Sequence, residues 1–498
     1  MTAFPRDTDS YRIRQTLDHP VVDTDGHMLE FAPAMYDFVR KLAGPDMATR
    51  LEDTLKSNRA RYYGRTEAER RAGRLYRPPF WVAPTKNTLD RATAMLPKLM
   101  RERLETFGID FGIIYPTTGF TLPEIIREDD IRRAACRAHN TMVAELFKGC
   151  EDKLTPAAAI PCQTPSEAID EVEHCVKVLG FKVVMLSHIV RRPVEAVAHL
   201  GEDVQRQAQW FDALGLDSAY DYDPLWAKCR ELKVAVTAHG QTQGLGLRRS
   251  HTNYMYNQTG HFAEAGHTFA KALFFGGVTR RFPDLNFAFL EGGATWAVTL
   301  YGELIERWKK RNGAAIEANN PALLDASLLS EMFDRYGGDM LKGRLGAALA
   351  DAALTPTALR LESLEDPAAL DDFAAAGISA PRDIYDRFVP RFFYGCEADD
   401  PLVGLAFKPE WFPFAPRFNA MLGSDIGHWD VPDMTHVLAE AHELVEDGHL
   451  TMADFKDFTF GNAVKLHAEM NPDFFKGTVV ESATAAYMTG SGRANRAA

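Results

Sequence analysis

Two histidines and three carboxylates stand at the polar ends of separate apolar runs in this chain, and together they make up a set of metal ligands. The run PVVDTDGH (20–27) closes on Asp23, Thr24, Asp25, Gly26 and His27. In an extended segment, residues two apart face the same side, so Asp25 and His27 point together. KVAVTAHG (233–240) ends near His239, LNFAFLEGG (285–293) near Glu291, and FNAMLGSD (418–425) at Asp425. Such a mixed imidazole and carboxylate set suits Zn²⁺, Mn²⁺ or Fe²⁺ better than Ca²⁺ or a soft ion. Singly, each residue has a plainer reading. An Asp-x-His pair arises by chance, Asp25 can serve a turn, His239 can be a hydrogen-bonded structural residue, and Glu291 can pair with an arginine. Jointly, charged groups at the inner ends of buried strands are costly unless paired or metal-bound, and a metal accounts for all of them.

What must position these residues is a set of parallel strands. Further short apolar runs occur at IDFGIIYP (109–116), LTPAAAIP (154–161), FKVVMLSH (181–188) and RFFYGCE (391–397), giving eight in all. They alternate with helical patterns such as SEAIDEVEHCVKVLG, which closes on glycine. Continuously apolar short strands between helices read as buried parallel strands. Eight of them predict an α/β fold, a closed (β/α)8 TIM-type barrel whose strand ends share one mouth. A doubly wound sheet would need a Gly-rich phosphate turn after an early strand, and none occurs. About 80 residues separate the first two runs and roughly 95 the sixth and seventh, more than one connecting helix needs. Large insertions are therefore expected after strands 1 and 6, at about 41–108 and 311–390. The first is rich in Arg and Tyr over 59–81, and the second carries an Ala-rich run, 344–380. Both are expected at the site end of the barrel, as covers or, equally, as helical decoration or an oligomer surface. Residues 1–18 are expected as an N-terminal arm, 19–478 as the barrel, and 479–498 as a loose tail.

Composition bounds the partners. The chain has 498 residues, 46% hydrophobic and 25% charged, ordinary for a globular protein with a sizeable core. A formal net charge of −13 argues against nucleic acid or an anionic membrane as the main partner. Six cysteines without a CxxC pair fit a reducing compartment, and no signal peptide or membrane-length apolar run is present. A cytoplasmic location is expected.

Beyond these residue-level readings, the chain resembles the amidohydrolase superfamily, and within it the amidohydrolase-2 branch that includes relatives of aminocarboxymuconate-semialdehyde decarboxylase and several hydrolases. The resemblance runs from residue 19 to about 475, insertions excepted. Where the family's first strand usually reads Asp-x-His-x-His, this one has Asp25 in place of the first metal histidine. His239 in AHG, the stretch GGVTRRFPDLNFAFLEGGATW (276–296), Asp425 in GSDIGHWD and FGNAVKLH (460–467) match the branch's remaining landmarks. The resemblance implies a divalent metal (Zn, Mn or Fe), one or two ions per chain, held by Asp25, His27, His239, Glu291 and Asp425. One departure stands out: the decarboxylases carry a histidine where this chain has Glu291. A carboxylate there more naturally ligates or bridges metals. His188 and Glu397 are candidates for a second ion, His188 because dinuclear members use a fourth-strand residue as a bridge.

A bound divalent ion makes water a nucleophile near neutral pH; no GxSxG elbow offers another, and the one strand-end cysteine, Cys396, reads as a packing residue. Asp425 and Glu291 are the expected catalytic groups, with Asp425 orienting water and passing its proton to the leaving group. The expected activity is hydrolysis of an acyl bond (ester, thioester, amide or activated C–C) of a small organic acid or its derivative. The alternative is non-oxidative decarboxylation of an aromatic or unsaturated carboxylic acid, and a barrel that only binds a ligand is a third reading. Arg61, Arg77, Arg248, His267, Trp296 and His428 are expected to contact a small, bulky, anionic substrate. The insertions and the resemblance point to a homodimer.

Overall fold

The computed structural model describes residues 4, 6–79, 85–197, 199–320, 323–350 and 370–494. Its core is one sheet of eight parallel strands in chain order. They are β1 (Val22–Met28), β2 (Phe111–Pro116), β3 (Leu154–Ala159), β4 (Val183–Leu186), β5 (Val236–Ala238), β6 (Phe287–Phe289), β7 (Phe392–Cys396) and β8 (Asn419–Leu422). Each falls within one of the eight apolar runs, except that β1 extends one residue beyond its run, to Met28. Strands covered on both faces lose their amphipathic alternation, which is why they read as continuous apolar stretches.

The sheet closes between its first and last strands. Thr24 Oγ1 donates to Leu422 O at 2.8 Å, Asp425 N to Asp25 O at 2.8 Å, and His27 N to Ile426 O at 2.7 Å. The fold is the expected (β/α)8 barrel. Its inward layer comprises Val22, Phe111, Ile113, Tyr115, Ala157, Met185, Leu290, Phe393 and Met421, all in one buried cluster. Phe460 and Val464, at and within the closing helix Asn462–Ala468, together with Phe474 and Phe475, belong to the same cluster. This layer is the apolar floor under the polar mouth.

The chain divides into two compact units, Met1–Leu300 with Tyr385–Ala498, and Tyr301–Ile384. The second unit carries the helices Ala326–Tyr336, Gly338–Leu341 and Leu345–Ala350, while residues 351–369 of the Ala-rich run lie outside the described residues. Within the first unit, the Arg/Tyr-rich segment packs against the loop that follows β5. Tyr62 Oη donates to His251 O at 2.9 Å and Arg77 N to Ser250 O at 2.8 Å.

Both chain ends carry helices, where an N-terminal arm and a loose C-terminal tail were expected. Residues Asp9–Thr16 form a helix whose Ser10 Oγ accepts from Ala439 N at 3.1 Å. Residues Glu481–Ala494 form a helix in which Ala483, Tyr487 and Met488 pack against the central cluster. Small and polar composition hid this docking face. An antiparallel hairpin, Val190–Pro193 with Gln209–Asp212, was also not expected; Arg192 pairs with the buried Asp212 there. Among the described residues no helix is long and apolar enough to cross a membrane.

Candidate metal centre

β1 enters the mouth through a register irregularity between Asp23 and Gly26. Asp23 is fully buried and fixes this turn: it accepts from Ser424 N (2.9 Å), Ser424 Oγ (2.6 Å) and Asp25 N (3.2 Å). It thereby ties the end of β8 to the end of β1. Gly26 is required at the turn, since a Cβ there would stand 2.8 Å from Asp23 Oδ2.

The five expected ligand residues converge. His27 Nε2 lies 3.4 Å from Asp25 Oδ1 and 3.2 Å from Asp425 Oδ1. His239 Nε2 lies 3.1 Å from Glu291 Oε2 and 3.9 Å from Asp25 Oδ1. Ligand atoms of Asp25, His27 and His239 all lie within 4.8 Å of one another, as do those of His27, Glu291, Asp425 and His428. Glu291 (φ 56°) and Asp425 (φ 51°) adopt left-handed backbone conformations. For residues with a Cβ this costs on the order of 1–3 kcal/mol each, a strain characteristic of functional sites.

Burial dominates the electrostatics. It pushes the carboxyls of Asp25, Glu291 and Asp425 well above the usual range, and the neighbouring acids push them further. It pushes His27 and His239 well below theirs. Asp25 Oδ1 and the Nδ1 atoms of His27 and His239 are buried without a hydrogen-bond partner, and the other ligand atoms have chiefly one another and His428 for contacts. A protein does not bury so many polar atoms unsatisfied unless something else satisfies them. A divalent cation fits the donor set and would relieve its mutual repulsion.

Supporting residues extend inward from the mouth. His428, expected at the substrate, is stacked on His27 with ring centroids 3.8 Å apart. Its Nδ1 lies 2.6 Å from Asp425 Oδ1 and its Nε2 3.0 Å from Thr117 Oγ1. Glu30 accepts from Thr118 N and Gly119 N, both at 2.8 Å, and from His139 at 2.9 Å, so it holds the segment carrying Thr117. Asp23, Glu30 and Asp430 had no role assigned from the sequence. The GHWD motif contained Asp430, but a loop residue has no periodicity to mark it. Phe120 and Phe262 flank His239, at 4.8 and 5.0 Å between centroids.

Several expected contacts lie elsewhere. His188 is buried between Phe269 and Phe289 and belongs to none of the ligand groups found among the described residues. Glu397, the other second-ion candidate, does group with Glu291 and with Asp430. Arg77 Nη1 donates to Thr252 O at 2.9 Å, and Arg248 Nε to Glu264 at 2.6 Å, so both serve the loop after β5. Trp296 packs on Phe289 and Tyr394, with His267 edge-on to it at 6.1 Å. Neither Trp296 nor His267 nor Arg61 lines the cavity of about 340 Å³ beside Glu291, which is walled by Gln258, His261, Phe262, Glu397, Trp429 and Asp430 among others.

The chain is thus a parallel (β/α)8 barrel with an Asp/His/Glu cluster at the strand ends, the face where such barrels carry their active sites. Over residues 123–340 the chain matches the model of the Amidohydrolase family, in agreement with the resemblance carried by its motifs. No curated protein matches the sequence. The fold is similar to that of an amidohydrolase from Mycobacterium avium subsp. paratuberculosis K-10 (16% identity, 91% of this chain and 100% of that chain, TM-score 0.50). Looser similarity links it to a dihydroxybenzoic acid decarboxylase from Polaromonas sp. JS666 with bound manganese and 2-nitroresorcinol (15%, 90% and 97%, TM-score 0.46). A 5-carboxyvanillate decarboxylase from Novosphingobium aromaticivorans DSM 12444, also with manganese, is similar at 12% identity (90% and 97%, TM-score 0.44).

Proposed function

We propose that this chain is a metal-dependent, non-oxidative decarboxylase of a flat, aromatic carboxylic acid. The observation that carries this reading is an acid, Asp425, in the ligand set whose His239 is flanked by the rings of Phe120 and Phe262. Asp25, His27, His239 and Asp425 would hold the ion, with Glu291 at its edge. When bound, a divalent ion engages the oxygens of the substrate and withdraws charge from its ring. Phe120, Phe262 and Trp429 would receive the ring. Asp425 would deliver a proton to the carbon that loses CO₂, so that R–COO⁻ and H⁺ give R–H and CO₂. His428, 2.6 Å from Asp425 and bonded onward to Thr117, orients that carboxyl and can resupply its proton.

Hydrolysis of an acyl derivative is the second reading, and one observation favours it. The cavity beside Glu291 has four carboxylates in its wall (Glu291, Glu397, Asp400 and Asp430) and no Lys or Arg among its described lining residues. That lining suits a neutral ester or thioester better than an acid, unless a further cation offsets the charge.

One pair of assays separates the two. The manganese-loaded protein is expected to release CO₂ from a panel of hydroxybenzoates, with 2,6-dihydroxybenzoate and 5-carboxyvanillate tried first. Absence of CO₂ from the whole panel together with hydrolysis of phenyl or p-nitrophenyl esters would replace this reading with the second. Asp425→Asn should lose CO₂ release; wild-type turnover by a metal-bearing Asp425→Asn protein would reject Asp425 as the proton carrier.

A further inference from the structure

The acid-lined wall of the cavity points to a cation site separate from the one formed by Asp25, His27 and His239. Ligand atoms of Glu291, Glu397 and Asp430 all lie within 4.8 Å of one another. They come from the ends of three different elements: Glu291 follows β6, Glu397 follows β7, and Asp430 lies in the loop after β8. The side chain of Glu291 is only 5% exposed, and its Oε2, 3.1 Å from His239 Nε2, accepts no well-directed hydrogen bond. Asp430 Oδ1 is buried without a partner too.

A further carboxylate adjoins the cluster. The side chain of Asp425 is 3% exposed, and its carboxyl and that of Asp430 bear on each other. Carboxylates so placed repel one another unless they share a proton or a cation. Among the described residues, no Lys or Arg forms an ion pair with Glu291, Glu397 or Asp430.

We infer that Glu291, Glu397 and Asp430 form a second divalent-cation site, with Glu291 standing between it and the His-containing site. Three carboxylates and no nitrogen or sulfur make it an all-oxygen donor set, which selects a hard ion such as Mn²⁺, Mg²⁺ or Ca²⁺. Its positive charge offsets the acidic wall and lets an anionic substrate enter the cavity. The inference stands on the ligand cluster and does not require the decarboxylase reading.

The test is a manganese count on the full chain. Chelator-treated protein is equilibrated by dialysis against increasing MnCl₂, and bound metal per chain is measured by elemental analysis. The wild type is expected to take up two Mn²⁺, the second more weakly. Glu397→Gln combined with Asp430→Asn should take up one, with the first site's affinity within about threefold of wild type. Thermal unfolding of the variant confirms that it is folded, and each single substitution should by itself weaken the second site at least tenfold. One Mn²⁺ per chain in the wild type at saturation would overturn the inference, as would two in a folded double variant. Neither result involves CO₂ release, so a failed count leaves the proposed reaction standing, and a failed reaction leaves the count standing.

Discussion

Replacing Gly423 with alanine probes the geometry of the metal centre without touching a polar group. A Cβ at Gly423 would stand 2.8 Å from the Cβ of Asp25. Carbon atoms in ordinary contact lie about 3.5–4.0 Å apart, so at least ~0.7 Å of separation must be found. Neither side yields easily. Gly423 N donates to Cys396 O at 2.8 Å, while Asp25 is held by its N–H to Asp23 and by its carbonyl to Asp425 N. The Gly423 backbone is not in the left-handed region, so the substitution acts through packing alone. Overpacking of this kind costs about 1–3 kcal/mol. Displacing a ligand by a large fraction of an ångström should weaken metal binding about 10–100-fold, or roughly 1.4–2.7 kcal/mol. Competition with a fluorescent chelator gives the affinity, and Gly302→Ala, where the added methyl meets nothing within 4 Å, is the control. A Gly423→Ala protein that binds metal within twofold of wild type would show that the position of Asp25 does not govern the site.

Three other perturbations follow from the same coordinates. Asp23→Asn keeps the shape but weakens the bonds to Ser424 and Asp25, and metal affinity measured by dialysis should drop about 10–100-fold; an unchanged affinity would remove Asp23 from the site's support. Chelation of protein equilibrated at 100 times the dissociation constant should remove about 2.7 kcal/mol and lower the Tm by about 3 °C in calorimetry, and a Tm indifferent to chelator would contradict metal binding by the folded state. His467, buried and stacked on Phe474, is pushed down to about 3 by burial. The unfolded chain, with a histidine pKa of about 6.5, binds a proton that the native state refuses, so stability falls as pH drops from about 6.5 toward 3. At pH 5 the loss is about 2 kcal/mol, and His467→Leu should flatten the acid limb of a urea-denaturation series by that amount; parallel slopes would refute the assignment.

The barrel was legible because each of its strands is buried on both faces, which leaves an apolar run ending in the polar groups of the mouth. His239, Glu291 and Asp425 sit at three such ends, so position alone marked them. Other features left no such trace. Arg77 and Arg248 resembled anion contacts by type, yet their donors go to Thr252 O and Glu264, and only the packing of one loop on another decides that. His188 ends a strand as a ligand would, but the rings of Phe269 and Phe289 enclose it. Asp430 and Glu30 lie outside periodic segments, where residue type says nothing about what a side chain will meet. The terminal helix, with its Ala, Thr and Ser residues, carries too little apolar character to announce its docking face, and Tyr487 supplies the contact.

The seam between β1 and β8 has a consequence for how the protein comes into being. Asp25 and Asp425 are joined there by a main-chain hydrogen bond, although 400 positions separate them in the chain. The candidate ligand set therefore cannot close until residues 418–425 have joined the sheet, and fragments that stop before residue 418 are expected to lack it and to be open to proteolysis.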